Sequence, residues 1–421
     1  MKFIHIKKVL SEKFEGKKVK IRGWVYRKRQ LKGKTFLVLR DSTGIVQCVL
    51  EGETPASIES SVEVSGVLRR DKRAPTGYEI IVEKISIVGL SERFPITKDQ
   101  SVEFLLDVRH LWLRSRKLTA IMKIKETVLE SAREWFKKNG FHEVTPPIIV
   151  SGQCEGGSTL FSFNYFGKKA YLSQSAQLYL ESLIFSLEKV YSLTPSFRAE
   201  KSRTRRHVAE YWHLEAEMAW MDYIDNMRVQ EKLVSHIVKR VLEKREEELL
   251  FLGRDLKPLK RVKPPFGRMT YEEAVKILQE KGVEIEWGDD LGADEERELT
   301  RYSKKPFFVT HYPREMKAFY MKVNPNDPKT VLCSDMMAPE GYGEVIGASQ
   351  REDDMKLLLE SMKMFGLKKK DYEWYLDLRR YGSVPHSDFG LGIERLLMWI
   401  CGLDHIRDTL PYPRVMNRYY P

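Results

Sequence analysis

The sequence has little of what metal sites, disulfide frameworks and membrane anchors require. Its 421 residues include four cysteines, at positions 48, 154, 333 and 401, with no CxxC pair, and its nine histidines form no HExxH motif. Neither a zinc site nor a disulfide framework is indicated. No apolar run approaches the roughly 18 residues that span a bilayer, and the start MKFIHIKKVL has charges where a signal peptide has an apolar core. We therefore expect a soluble, cytoplasmic protein with no membrane partner.

Positive charge is concentrated at the N-terminal end. Residues 1–40 hold 14 basic and 2 acidic side chains, a net charge of +12 that equals the formal net charge of the whole chain. The other 381 residues are formally neutral. A short cationic region of this kind is typical of a contact with a polyanion.

Residues 1–92 predict a small all-β domain. Five segments rich in Val, Ile and aromatic residues are separated by breaks that contain Gly, Ser or Pro: Lys17–Val25, Thr35–Ser42, Gly44–Glu51, Ser61–Arg69 and Glu79–Val88. Five strands at this spacing suit a closed barrel of the OB type. An SH3-like module or a simple β-sandwich stays open as an alternative.

The remainder predicts a hinge and a larger α+β domain. Residues 93–115 lack clear periodicity and are interpreted as the hinge, and residues 116–421 as the second domain. Predicted elements are a strand over Glu143–Val150 and helices over Lys117–Asn139, Ala176–Leu187 and Ile224–Leu250. Because no regular βαβ repeat is visible, an antiparallel sheet flanked by helices is favoured over a doubly wound fold.

Three clusters of residues could carry chemistry. In residues 197–217 one strand is predicted to end in Arg198 and Glu200, and the next to place Glu215 and Glu217 on one face. The loop between them is cationic and contains Arg206 and His207, although a solvated hairpin with salt bridges would also explain it. The second cluster is Gly390-Leu-Gly392 with Arg395 early in an apolar helix, and the third is Asp335 with Glu344, whose carboxylates could hold Mg²⁺.

Together these clusters resemble the motifs of class II aminoacyl-tRNA synthetases of the aspartate/asparagine subgroup, most closely the archaeal type of asparaginyl enzyme. Glu143-Val-Thr-Pro146 after the long helix is similar to the family's first motif, the Arg198/Glu200 hairpin with His207 to its second, and Gly390-Leu-Gly392-Ile-Glu-Arg395 to its third. The resemblance implies an OB-fold anticodon-binding barrel joined to a class II catalytic domain. It also implies a homodimer with Pro146 at the interface.

The resemblance implies a role for each site residue. Four would act in catalysis: Arg198, Glu200, His207 and Arg395. ATP would be bound by these four together with Arg206, Glu344, Gly390 and Gly392, and Asp335 and Glu344 would hold Mg²⁺. The amino acid would be bound by Glu155, Ser175, Gln177, Glu215, Arg351 and His386, with Glu155 on its α-ammonium group.

Two pocket positions favour asparagine over aspartate as the substrate. The segment Gln174-Ser-Ala-Gln-Leu-Tyr-Leu180 resembles one in the aspartate enzymes of the subgroup, which have Lys at the position of Leu180. Those enzymes also have Asp at the position of Glu215. A longer carboxylate without a Lys partner can accept a hydrogen bond from an amide and would repel a carboxylate. Arg351 matches the arginine that meets the substrate's side-chain oxygen.

The N-terminal barrel would bind the anticodon. By resemblance, Phe36 would stack on the central uridine, Gln47 would bond a base edge and Arg29 would contact the anticodon of tRNA(Asn). Taken alone, Phe36 is more often a core aromatic and Gln47 an ordinary strand residue.

One position departs from the family pattern. His386-Ser-Asp388-Phe-Gly has Asp where the third motif usually has Gly. We expect activation of L-asparagine with ATP and transfer to tRNA(Asn). The alternatives are a non-discriminating aspartyl enzyme, an enzyme like asparagine synthetase, and an impaired tRNA-binding paralogue, which Asp388 keeps open.

Overall fold

The computed structural model describes residues 2–152, 160–201 and 204–421. Its contacts divide the chain into two compact units, Met1–Leu105 and Leu106–Pro421. Among the helices of these described residues, none combines the length and apolar character needed to cross a bilayer.

The first unit is a closed five-stranded barrel with the strand order β1-β2-β3-β5-β4. Its strands are β1 (Lys18–Leu31), β2 (Lys34–Arg40), β3 (Ile45–Glu51), β4 (Ser61–Arg70) and β5 (Tyr78–Gly89). Alternate apolar residues, among them Val19, Ile21 and Leu37, fill the interior. The predicted five-stranded barrel is confirmed, although β1 runs six residues beyond Val25 because Lys32 and Gly33, both with positive φ, make the turn to β2.

The second unit is built on an eight-stranded sheet with the order β12-β13-β14-β15-β16-β11-β10-β6. Its strands are β6 (His142–Glu143), β10 (Lys189–Phe197), β11 (Glu210–Ala219), β12 (Gly267–Thr270), β13 (Phe307–Thr310), β14 (Cys333–Ala338), β15 (Gly343–Gln350) and β16 (His386–Gly392). The outermost pairs are parallel and the five pairs between them antiparallel. The predicted α+β class with an antiparallel sheet is therefore confirmed.

A second, three-stranded sheet has the order β7-β9-β8. Its strands are β7 (Ile149–Val150), β8 (Ser162–Tyr165) and β9 (Lys168–Leu172). The single strand predicted over Glu143–Val150 is wrong. The Thr145-Pro146-Pro147 segment interrupts it, because proline lacks the N–H that a ladder needs, and the two ends join different sheets.

Helices pack against both faces of the large sheet, and one short helix belongs to the barrel. The α-helices are α1 (Ile6–Val9), α2 (Val102–Asp107), α3 (Arg109–Trp112), α4 (Arg116–Lys138), α5 (Gln177–Leu187), α6 (Tyr223–Lys244), α7 (Glu246–Phe251), α8 (Leu256–Lys260), α9 (Tyr271–Glu280), α10 (Ala293–Thr300), α11 (Met355–Met364), α12 (Glu373–Arg380) and α13 (Ile393–Cys401). The predicted helix over Ile224–Leu250 is divided at Arg245 into α6 and α7. Two short helices, α2 and α3, lie in the segment interpreted as a hinge.

The two faces of the central strands have different chemistry. Leu214, Ala216 and Met218 of β11, with Phe389 and Leu391 of β16, are buried against an apolar core to which α4, α6 and α13 contribute. Because successive strand residues point to opposite faces, the odd-numbered residues of β11 and the even-numbered residues of β16 face the other way. That second face carries the polar side chains predicted to form the site.

Candidate active site

The register of four strands brings the site residues into one row. Asp335 of β14 lies opposite Gly347 of β15, which lies opposite Gly390 of β16, which in turn lies opposite Glu215 of β11. Directly opposite residues share a face of the sheet. Two carboxylates thus flank two glycines, and the absence of side chains at the glycines leaves room above the sheet.

A β-bulge adds Glu344 to this row. The register between β14 and β15 shifts between Met336 and Met337, so that Glu344 pairs with Met337. Val345 and Ile346 are consecutive, yet both are buried in the apolar core to which α4, α6 and α13 contribute. Without the bulge Glu344 would point toward that core, so the extra residue turns its carboxylate onto the site face.

Two adjoining cavities open on this face. The larger, of about 480 Å³, is lined by Arg198, His213, Glu215, Asp335, Glu344, Asp388, Gly390 and thirteen other residues. The smaller, of about 90 Å³, is lined by Arg198, Glu200, Arg206, His207, Glu344, Gly390, Gly392, Arg395 and six others. Because Arg198, His213, Glu344 and Gly390 line both cavities, the two spaces meet at these residues.

Arg198 lies just beyond the strand that was predicted to contain it. The strand β10 ends at Phe197, and the Arg198 N–H donates to the Ala209 carbonyl at 3.0 Å. The prediction that Arg198 and Glu200 alternate along one strand is therefore wrong. Their side chains still meet at the site, with a guanidinium nitrogen of Arg198 4.0 Å from a Glu200 carboxylate oxygen.

Two further arginines converge on Glu344. Arg395, in the first turn of α13, donates to the Glu344 carboxylate at 2.8 Å, and Arg206 donates to its main-chain carbonyl at 2.8 Å. Arg206 is itself held by Glu296 at 2.5 Å. Although burial opposes it, the positive charges of Arg395, Lys317 and Arg206 lower the pKa of Glu344 to about 2. Glu344 is consequently ionised at neutral pH.

His207 is a neutral group at the edge of the smaller cavity. Its ring nitrogen lies 3.6 Å from a Glu200 carboxylate oxygen. Burial, together with the positive charges of Arg395 and Arg206, lowers its pKa despite the opposing Glu200. The ring therefore offers hydrogen bonds at neutral pH rather than charge.

Asp335 and Glu344 form a paired-carboxylate site. A Cβ at Gly347 would lie 3.3 Å from a Glu344 oxygen and 3.7 Å from an Asp335 oxygen, so the two carboxylates flank this glycine. Lys317 binds Asp335 at 2.7 Å. Burial and the nearby Glu344 raise the pKa of Asp335. Two carboxylates open to a cavity are the donor set that Mg²⁺ uses with substrate phosphates, so the residues fit this ion.

Glu215 is held at the floor of the larger cavity. Its carboxylate accepts hydrogen bonds from the Ser175 hydroxyl and from the Ala176 N–H, the latter at 2.9 Å. The Gln177 amide donates to the Tyr320 hydroxyl at 2.6 Å, and both side chains line the same cavity. The structure thus brings Ser175, Gln177 and Glu215 together as predicted.

Two predicted substrate contacts lie deeper than the cavity lining. Arg351 and His386 are both fully buried, and neither is among the described residues that line the two cavities. Arg351 binds Glu217 at 3.0 Å, and a His386 ring nitrogen lies 2.9 Å from Glu181. The role predicted for Glu155 falls outside the described residues.

Sequence reasoning missed three residues that position this site. Lys317 pairs with Asp335, Glu296 holds Arg206, and Tyr320 receives the hydrogen bond from Gln177. Glu296 belongs to an acidic segment that is typical of a surface helix, and Lys317-Ala-Phe-Tyr320 contains no known motif. Only their contacts in the folded chain place them at the site.

The barrel residues predicted to read RNA form one connected group. Arg29 of β1 lies over the Phe36 ring, with its guanidinium carbon 4.7 Å from the ring centroid, and it donates to the Gln47 oxygen at 3.5 Å. Gln47 donates in turn to Glu79 at 2.9 Å. Phe36 is half-buried and lies outside the barrel core, so the interpretation of Phe36 as a core aromatic is not supported.

Comparison with known proteins identifies the class. Residues 101–416 match the family of class II tRNA synthetases (D, K and N), and residues 19–88 match the OB-fold nucleic acid binding domain. The chain therefore belongs to the class II aminoacyl-tRNA synthetases, and the predicted family and fold are confirmed.

Within this family the chain is similar to enzymes named for asparagine. It is 58% identical to the asparagine–tRNA ligase of Thermococcus gammatolerans over 98% of both chains. The asparaginyl-tRNA synthetase of Pyrococcus horikoshii, solved in complex with asparaginyl-adenylate, is 56% identical, with a TM-score of 0.97 over the full length of both chains. The corresponding complex from Entamoeba histolytica is 35% identical, with a TM-score of 0.90, covering 100% of this chain and 99% of that one.

The close approach at Gly390 predicts a difference between two neighbouring glycines. A Cβ at Gly390 would lie 2.6 Å from the His213 ring, whereas at Gly392 the nearest atom is 3.7 Å away. We expect Gly390→Ala to lower the free energy of unfolding by about 1–3 kcal/mol through overpacking. Gly392→Ala, at a φ of −74° that alanine adopts, should change it by less than about 1 kcal/mol. Equal losses for the two variants in guanidinium chloride unfolding would contradict this account.

Proposed function

We propose that the chain activates L-asparagine with ATP to asparaginyl-adenylate and transfers the asparaginyl group to the 3′ end of tRNA(Asn). The observation that carries this proposal is the floor of the larger cavity. Glu215 points its carboxylate into it, and Leu180, at the position where aspartate enzymes have a lysine, is fully buried in an apolar cluster. A substrate amide can donate to Glu215, whereas a substrate carboxylate would meet a like charge.

The paired cavities suit the first step of this reaction. The carboxylate oxygen of the amino acid attacks the α-phosphorus of ATP, a P–O bond forms, and pyrophosphate leaves. Because the carboxylate is already the nucleophile, no general base is needed. Arg198, which lines both cavities, would stabilise charge on the α-phosphate, and catalysis consists of positioning and charge stabilisation.

The smaller cavity would hold the nucleotide. Glu200 would accept from the adenine amino group, and Arg395 would stack on the base and reach the γ-phosphate, for which a planar guanidinium is suited. Arg206 and His207 would bind the terminal phosphates, and Gly390 and Gly392 would leave room for the nucleotide. Asp335 and Glu344 would hold Mg²⁺, which, when bound, neutralises phosphate charge.

The barrel would read the anticodon. Arg29 and Lys28 belong to the cationic stretch of residues 1–40, which supplies salt-dependent attraction for RNA. Phe36 offers a half-buried ring on which a base can stack, and Arg29, which lies over this ring, donates to the Gln47 amide. A cytoplasmic location fits this role.

Exchange of pyrophosphate into ATP tests the proposal directly. We expect asparagine to support exchange and aspartate to support it at least about 100-fold less well in kcat/KM, and we expect unfractionated tRNA to be charged with asparagine. Exchange with aspartate alone would contradict the specificity, and charging of both tRNA(Asn) and tRNA(Asp) with aspartate would indicate a non-discriminating aspartyl enzyme. Exchange with aspartate but no tRNA charging would favour an enzyme like asparagine synthetase, and no exchange with either amino acid would favour a tRNA-binding paralogue.

The ring of Phe36 gives a second prediction. Phe36→Ala should raise the KM for tRNA(Asn) by roughly 5- to 100-fold, because a stacked base contributes about 1–3 kcal/mol. Amino-acid activation without tRNA should stay unchanged. Phe36→Tyr keeps a ring and serves as the control. Equal KM values for the alanine and tyrosine variants would show that no base stacks there.

A homodimer is the third part of the proposal. Pro146 lies close before two exposed isoleucines, Ile148 and Ile149. In the small sheet that contains β7, β8 carries Phe163, and the turn from β8 to β9 carries the 92% exposed Phe166. Contiguous exposed apolar residues of this kind mark interaction surfaces. A second copy of the chain would cover them.

Sedimentation equilibrium tests the dimer. The unaltered protein should sediment with twice the mass of one chain, and Ile149→Asp should shift it toward a single chain because a charge would be buried at the interface. Leu250→Asp alters a comparably exposed residue of α7 and should leave the dimer intact. A single-chain mass for the unaltered protein would overturn this part of the proposal.

A further inference from the structure

Asp388 is the one residue of the third motif that departs from the family pattern, and the structure gives it a defined place. It lies in β16 between Glu217 of β11 and Ser349 of β15. Its side chain lines the larger cavity and is 7% exposed. One carboxylate oxygen accepts from the Ser349 hydroxyl at 2.8 Å and from the Ser349 N–H at 3.2 Å. The carboxylate is therefore held in place at the cavity wall.

The other Asp388 oxygen binds Arg351. The distance to the guanidinium is 2.9 Å, and Glu217 binds the same guanidinium at 3.0 Å and 3.3 Å. The ring of Tyr320 lies 4.4 Å from the guanidinium carbon and covers it. Arg351 is fully buried and does not line the larger cavity, whereas Asp388 does. A molecule in the cavity would therefore meet the Asp388 carboxylate rather than the Arg351 guanidinium.

The charges around Arg351 leave no positive excess for a further carboxylate. Two guanidiniums, those of Arg351 and Arg379, face three carboxylates, those of Glu181, Glu217 and Asp388. Burial, with Asp388 and Glu181 nearby, raises the pKa of Glu217 well above its usual value despite the opposing Arg351. Even with Glu217 protonated, the two guanidiniums face two carboxylates, so no positive excess remains. Burial raises the pKa of Asp388 to about 6 despite the opposing Arg351, which is the effect expected where carboxylates are crowded.

We propose that Asp388 is a specificity-determining residue that excludes aspartate, because its own carboxylate occupies the place at Arg351 that a substrate carboxylate would take. This inference rests on the function proposed above. A substrate amide remains acceptable, since its NH₂ group can donate to the Asp388 oxygens. Arg351 then acts on the substrate through Asp388, which makes Arg351 a positioning residue in this chain.

Exchange of pyrophosphate with each amino acid measures the effect in three variants. Asp388→Asn keeps the size of the side chain and removes its charge, and Asp388→Gly removes the side chain that lies between the guanidinium and the cavity. We expect the ratio of kcat/KM for aspartate to that for asparagine to rise at least about tenfold in Asp388→Asn and further in Asp388→Gly. Glu340→Gln, which breaks the ion pair with Arg254 outside the described cavity linings, should leave the ratio unchanged.

The outcomes separate this inference from the proposed function. If the unaltered protein activates asparagine and charges tRNA, but Asp388→Asn changes the ratio by less than about threefold, the inference is overturned and the function stands. If the unaltered protein activates aspartate alone, both the proposed function and this inference are contradicted. A merely structural role would lower both rates together and leave their ratio unchanged. Should Asp388→Gly fail to fold, the nearly isosteric Asp388→Asn decides the question by the same ratio.

Discussion

The site depends on one constraint, which is the register of the antiparallel strands β14, β15, β16 and β11. That register places Asp335, Gly347, Gly390 and Glu215 in one row across the sheet. A shift of one residue in any pair would turn the side chains of that strand to the opposite face. The apolar residues that pack against α4, α6 and α13 oppose such a shift, because it would remove them from the core and bury the charged side chains there. The hydrophobic core therefore fixes the position of the chemical groups.

In this row the glycines leave space for a substrate, and the carboxylates bind cations. Gly390 lies where a Cβ would meet His213, so the backbone itself forms the floor of the space that the two cavities share. Asp335 at one end of the row holds Lys317, and Glu344 beside the β15 bulge holds Arg395. Preorganised charges of this kind need little rearrangement when charge develops on a phosphate.

Local features of the fold could be predicted from the sequence. Contacts between distant parts of the chain could be predicted only where a motif indicated them. The barrel strands follow from alternating apolar residues and turn residues, and the residues of the second and third motifs do meet at the site. The bulge at Val345 was not predictable, because it is defined by pairing with another strand. The end of β10 before Arg198 was missed because the hairpin's ladder stops there although its apolar alternation continues. Glu296 and Lys317 gave no signal, since each acts on a residue far away in the chain.

The cations of the site are already matched before any substrate binds. Arg206 binds Glu296, Arg395 binds Glu344, Lys317 binds Asp335, and Arg351 is shared by two carboxylates. An entering anion must therefore compete with carboxylates for each cation, and only one with several charges, such as a triphosphate, can engage several of them at once. A single side-chain carboxylate has one charge and meets Arg351 at its most crowded point. Each cation of the site already has a carboxylate partner, and a bound anion must compete with that partner. This competition favours the multiply charged nucleotide and disfavours an acidic amino-acid side chain.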